Sequence, residues 1–187
     1  RSLEEIKTAP AAEFPPPFPE PSKEELLAYL PPRFLEQWTA GLGSLDTALG
    51  GGISSLLIML EGPGEMIVLC SEGEPSALEI YSPGASGPKG SGDSKDQLYC
   101  QVALTSDSTL FIDDPSTFPG LEENEDYVKF GYGYYIGTPW RQACPPYLTG
   151  TVAVMEKVQG KLRKEHVVTV ELFRDLFEQD VSSVELG

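Results

Sequence analysis

The sequence predicts an α+β fold, an antiparallel sheet flanked by helices. Three observations carry that expectation. Two β-rich runs, Ile53 to Leu60 and Met66 to Cys70, are separated by Glu61-Gly62-Pro63-Gly64-Glu65, a turn that joins antiparallel neighbours. Two more, Tyr134 to Arg141 and Gly150 to Lys157, follow each other late in the chain. Helical patterns precede the first pair and follow the second, and strand runs with helices packed on them read as α+β.

Taken in order, Pro10, Pro15, Pro16, Pro17, Pro19 and Pro21 forbid helix and remove backbone donors, so residues 1–21 read as an extended arm or linker. Ser22 can cap a helix starting at Lys23, with Glu24 and Glu25 at its positive end and Pro31 and Pro32 interrupting it. From Leu35 the spacing of Leu35, Trp38, Leu42, Leu45 and Leu49 draws one apolar stripe along a second helix, ended by Gly50, Gly51 and Gly52. The first strand pair follows. Residues 82–94, rich in Gly and Ser, cannot bury enough apolar surface to offset their ordering entropy and are expected to be a flexible loop. Then come a helix from Lys95 to Leu104, a strand from Thr109 to Asp113, a helix from Glu123 to Phe130, the second strand pair, and an amphipathic helix from Lys164 to Val181. One domain over residues 22–182 and a short tail, 183–187, complete the division.

Charge and composition exclude several classes of function. Against 13 Lys+Arg stand 29 Asp+Glu, a net charge of -16 that repels phosphate backbones and anionic lipid, so neither nucleic acid nor a membrane is an expected partner. The longest apolar stretch, Leu56 to Leu60, is far too short to span a bilayer. No basic start followed by an apolar core is visible, and the expected location is cytoplasmic. Cys70, Cys100 and Cys144 lack CxxC spacing and read as free thiols. His166 is the only histidine, expected at the surface early in the last helix. A two-histidine metal site or HExxH motif is therefore ruled out. No cofactor is named by the sequence.

Two stretches resemble the GAF family of sensory domains. Leu98-Tyr99-Cys100-Gln101 followed by Thr109-Leu110-Phe111-Ile112-Asp113-Asp114 looks like the GAF segment in which a helix bearing Tyr-Cys precedes a strand ending in an acidic residue. Tyr134-Tyr135-Ile136-Gly137-Thr138-Pro139 and Thr149-Gly150-Thr151-Val152-Ala153-Val154-Met155 look like its last two strands. The resemblance runs from Ile53 to Val181, with the Gly/Ser stretch an atypical insertion. It implies a non-catalytic module of a signal-transduction protein, such as a sensor kinase of a two-component system, that binds a small molecule and dimerises through terminal helices. A second similarity competes. Gly43-Ser44-Leu45-Asp46-Thr47-Ala48-Leu49-Gly50-Gly51-Gly52, with the strand and Gly62-Pro63-Gly64 beyond it, is similar to the approach to the phosphate loop of RecA-like ATPases. The Lys-Ser/Thr that would hold phosphate and magnesium is replaced by Glu65-Met66-Ile67. That alternative is a degenerate ATPase-like subunit without hydrolysis.

The candidate site rests on aromatic density. Tyr127, Phe130, Tyr132, Tyr134, Tyr135 and Trp140 combine apolar bodies with, for Tyr and Trp, a hydrogen-bonding tip, the chemistry of a small-ligand pocket. Strand alternation turns Tyr135 and Gly137 to one face and Tyr134 and Ile136 to the other. The proposed lining is Cys100, Asp113, Tyr127, Phe130, Tyr132, Tyr135 and Trp140. Two other readings stay open: the rings simply fill a core, leaving a structural dimerisation module, or a thiol-dependent reductase uses Cys100 or Cys144. For the homodimer, the Leu35–Leu49 stripe and the apolar positions of the last helix are expected to meet in a four-helix bundle of two copies.

Overall fold

The structure is a computed structural model that describes residues 20–88, 98–118 and 120–184. The expected arm up to residue 19, the rest of the Gly/Ser stretch from residue 89 and the last three residues of the tail lie outside the described residues.

Helix α1, Lys23–Ala28, starts where Ser22 Oγ accepts the Glu25 N–H at 3.2 Å. Pro32, whose missing donor costs nothing at a helix start, opens α2, Pro32–Ala48. Strands β1, Ser55–Gly62, and β2, Glu65–Gly73, form the expected hairpin around Pro63-Gly64. Opposite Ile58 and Met59 the register slips by one, and this bulge puts both Leu69 and Cys70 on the helix-packed face. Helix α3, Pro75–Ile80, is followed by the three-residue strand β3, Ser86–Pro88. Next are α4, Tyr99–Ser106; β4, Leu110–Ile112; two 3-10 turns; and the one-turn helix α5, Glu125–Val128. Strands β5, Tyr134–Arg141, and β6, Thr149–Glu156, lead to the terminal helix α6, His166–Val181.

All pairings are antiparallel and the sheet order is β3-β2-β1-β6-β5-β4. Two apolar layers sandwich it. On one face α1, α2 and α6 cover Leu56, Ile58, Leu60, Ile136, Val152 and Val154. On the other α4 packs on β5 and β6, α3 on β2, and Leu57, Met59, Val68, Ala153 and Met155 meet a group of tyrosines.

Several expectations change. Gly62-Pro63-Gly64 turns a β-hairpin instead of joining a strand to a helix, so the backbone cradle of a phosphate loop does not form and the ATPase-like alternative is overturned. Part of the expected loop is ordered: Val68 donates to Ala85 O and Gly84 to Val68 O, both at 2.8 Å, so backbone pairing on the β2 edge does what side-chain burial could not. Neither α3 nor β3 was expected. His166 is buried instead of exposed, and its Nδ1 accepts the Arg163 N–H at 3.1 Å. The α2 stripe is covered within its own chain. Leu42, Leu45 and Leu49 are at most 4% exposed, and Trp38 packs edge-on against Phe173 and Phe177 of α6, with centroids 5.3 and 5.1 Å away. No inter-chain bundle is needed to bury it. Among the described residues no helix is long and apolar enough to cross a membrane, and no cluster of His, Cys, Asp and Glu could hold a metal ion.

Candidate functional site

The face opposite the terminal helices carries the candidate site. Helix α3 delivers Tyr81 at its C-terminal end, where the Tyr81 N–H bonds Ala77 O. The start of α4 delivers Tyr99 and Cys100, the segment after α5 brings Phe130 and Tyr132, and β5 turns Tyr135 inward. Their rings form two groups: Tyr81 meets Phe130 at 5.9 Å and Tyr132 at 6.2 Å, and Tyr99 meets Tyr135 at 5.0 Å and Phe118 at 5.8 Å.

Asp126 organises this layer. It is 3% exposed, its Oδ1 accepts the Tyr81 hydroxyl at 3.1 Å and its Oδ2 the Tyr99 N–H at 2.9 Å. The second bond caps the start of α4, where Leu98 offers no side-chain acceptor. Asp126 O also accepts the Tyr132 N–H, and Tyr132 O the Tyr99 hydroxyl at 2.8 Å. One carboxylate thus ties α3, α4 and α5 together. Burial raises its pKa from 3.8 to about 6, partly offset by the Tyr99 and Tyr81 hydrogen bonds.

A cavity of about 240 Å³ opens beside this knot, walled by Met59, Val68, Tyr81, Ala85 and Phe130 with Asp126 at its edge. It is small for a ligand pocket, a class that spans roughly 300–1,000 Å³.

The expected site residues divide. Cys100, Phe130, Tyr132 and Tyr135 come together on this face, and of these Phe130 lines the cavity. Cys100 sits deeper: the Tyr135 hydroxyl donates to its sulfur at 3.5 Å, and burial pushes the thiol up to about 12. Tyr127 is 38% exposed on the outer side of α5. Asp113 is exposed just past β4, and neighbouring Asp114 caps a 3-10 turn through the Ser116 N–H. Trp140 belongs to the opposite face, stacked edge-on against Phe177 at 4.9 Å with its Nε1–H donated to Met59 O at 3.0 Å. Its even-numbered position, shared with Tyr134 and Ile136, already gave that side. Tyr81 and Asp126 were missed. Tyr81 lies on an unexpected helix, and Asp126 stands in an acidic stretch whose sequence reads as solvated surface.

No family model matches the sequence, and no curated protein matches it. Solved structures do. The free methionine-R-sulfoxide reductase of type II from Thermoplasma acidophilum is similar at TM-score 0.57 and 14% identity, over 81% of this chain and 95% of that one. The GAF domain of a two-component sensor histidine kinase from Bacillus halodurans is similar at TM-score 0.53 and 15% identity, over 78% and 93%. A phycocyanobilin-bound GAF domain from a cyanobacterial phytochrome is similar at TM-score 0.55 and 12% identity, over 90% and 98%. Together with the six-stranded antiparallel sheet and its flanking helices, these likenesses show that the chain has a GAF-like fold.

Proposed function

We propose that this chain is a non-catalytic sensory or regulatory domain that binds a small molecule on its tyrosine face and relays occupancy through α2 and α6 in a homodimer. The observation that carries the reading is the cavity beside Asp126, on the sheet face opposite the terminal helices. The same strands floor both layers, so a ligand that shifts β1 or β2 acts directly on residues packed against α2.

The reductase neighbours supply the competing reading, and the cysteine chemistry speaks against it. A nucleophilic thiol must ionise near neutral pH. Burial holds Cys100 at about 12 and Cys70 at about 11. Both are therefore protonated, leaving Cys144 as the half-buried thiol. Reduction of free methionine-R-sulfoxide with dithiothreitol is expected to show no turnover, and turnover lost in Cys144→Ser would replace the sensory reading by the enzymatic one.

A thermal-shift screen of small molecules tests binding. Compounds that raise the midpoint of the wild type and leave that of Ala85→Phe, which fills the cavity, unchanged are the expected result. A screen in which no compound distinguishes the two proteins removes the proposal.

A further inference from the structure

The lining of the cavity is chemically one-sided. Its walls are mostly apolar, aromatic or thioether, from Met59, Val68, Tyr81, Ala85 and Phe130, with Ser86 the one neutral polar side chain besides the Tyr81 hydroxyl among the described residues that line it. The charged residues lining it, among those described, are Asp126 and Glu125, both acidic. Among the described residues no Lys or Arg lines the cavity, while Lys23 Nζ, outside the lining, donates to Ser86 Oγ at 3.4 Å, so the charge presented by the described lining opposes an anionic ligand such as a phosphate or carboxylate. Asp126 has acceptor capacity left. Each oxygen accepts one hydrogen bond, and an ionised carboxylate offers about four lone-pair sites. Its two protein donors come from separate elements, α4 and the residue after α3, which fix the carboxyl at the cavity edge. Aromatic faces beside a fixed carboxylate attract a cation twice, by charge and by the ring quadrupole.

Resting on the small-molecule reading above, we infer that the cavity selects a small organic ammonium ion, an apolar body bearing a primary or methylated amine, with the amine bound to Asp126 beside the paired Tyr81 and Phe130 rings. Glu125 adds negative potential at the mouth and makes no required contact.

Binding of an ammonium also ionises Asp126. The titratable groups that face it are Glu125 on its own helix, Tyr81 at the end of α3, Tyr99 and Cys100 on α4, and Tyr132 and Tyr135 from the strand side. The tyrosines and Cys100 are all shifted upward and stay protonated near pH 6, so a proton released there comes from a carboxyl.

The experiment is calorimetric titration at pH 6 with three probes of one shape: phenethylamine, phenethyl alcohol and phenylacetate. The amine is expected to bind at least tenfold more tightly than the alcohol and to release up to about half a proton per site, since a carboxyl with pKa about 6 is already half ionised at this pH, seen as a dependence of the heat on the buffer. Phenylacetate is expected not to bind. Asp126→Asn keeps an acceptor for the Tyr99 N–H and should abolish both the preference for the amine and the proton release while still binding the alcohol. Equal affinity for amine and alcohol in the wild type overturns the ammonium assignment, as does an unchanged preference in Asp126→Asn or tighter binding of phenylacetate. In those cases, binding that is lost in Ala85→Phe still supports the pocket. Failure of all three probes overturns the ammonium assignment, and the broader screen then decides the pocket separately.

Discussion

At the scale of single residues, the tyrosine face depends on one carboxyl and one missing side chain. Asp126 has its native pKa raised, from 3.8 to about 6. The folded state therefore holds the proton more tightly than the unfolded chain, and the stability linked to this group is present at low pH and lost as pH rises from 3.8 through about 6. At about 1.4 kcal/mol per pKa unit the contribution is on the order of 3 kcal/mol. Asp126→Asn cannot ionise, so the stability of the wild type relative to this variant should fall between pH 4 and pH 7 in urea unfolding. A constant difference would show that the burial of Asp126 is not felt by its proton. Because both proteins share the remaining acidic groups, the comparison isolates this carboxyl from the general charge repulsion. Gly137 makes the second point. A Cβ there would collide with the Tyr135 hydroxyl, since the ring of Tyr135 folds over it on the same face to reach Cys100. Gly137→Ala should force the ring off its rotamer and cost about 1–3 kcal/mol, the usual range for overpacking. The accompanying loss of near-ultraviolet tyrosine dichroism would separate this local effect from global loosening.

At the scale of elements, period and capping made the regular parts legible, and tertiary pairing decided the rest. Tyr134–Arg141 is the strand its alternation predicted, Ser22 caps the helix expected at Lys23, and the Leu35 to Leu49 spacing marks the buried side of α2. Strand β3 was not legible because its stability lies in the edge of β2 and not in its own Ser-Gly-Pro sequence. Cavity-lining Tyr81 and Asp126 were hidden for a related reason: a buried carboxylate is made by three elements converging, and no local pattern records that. The aromatic cluster misled in one place, since nearness in sequence grouped Trp140 with Tyr135 although alternation separates them. Trp140 instead belongs to a line of rings, Trp140 to Phe177 to Trp38, that binds β5, α6 and α2. Phe177 is fully buried at its centre. Phe177→Ala should therefore cost about 3–5 kcal/mol, as large aromatic deletions do. Leu172→Ala on the outer side of the same helix should stay within about 0.5 kcal/mol in the monomer. Comparable losses for the two variants, read from urea midpoints at low protein concentration, would mean that the ring line does not hold the layer together.

At the scale of the whole molecule, the inner side of α6 is used by its own domain and the outer side is not. Val170, Phe177 and Val181 are fully buried, whereas Val168, Leu172 and Leu176 are 60%, 59% and 59% exposed at a spacing of four, an apolar stripe inclined to the helix axis. The expected meeting of the α2 stripe with the last helix occurs within one chain, and for the homodimer we propose the contact of α6 of one copy against α6 of another. Val168, Leu172 and Leu176 are too few to make a stable interface alone, since specific ones bury about 1,200–2,000 Å² in total. Neighbouring residues of both copies must join the contact. The chain's net charge of -16 opposes that approach, so the association should strengthen as salt rises, the reverse of a contact made by ion pairs. Sedimentation velocity is expected to show a dimer whose population grows between low and moderate salt. Leu172→Glu places a charge in the centre of the stripe and should give a monomer with an unchanged far-ultraviolet spectrum. Leu42→Glu is the contrasting variant: Leu42 is fully buried between α2 and the sheet, so it should unfold the domain instead of separating copies. A wild type that remains monomeric at high micromolar concentration in moderate salt would remove the dimer. With it would go the route by which occupancy of the tyrosine face reaches a second copy through α6.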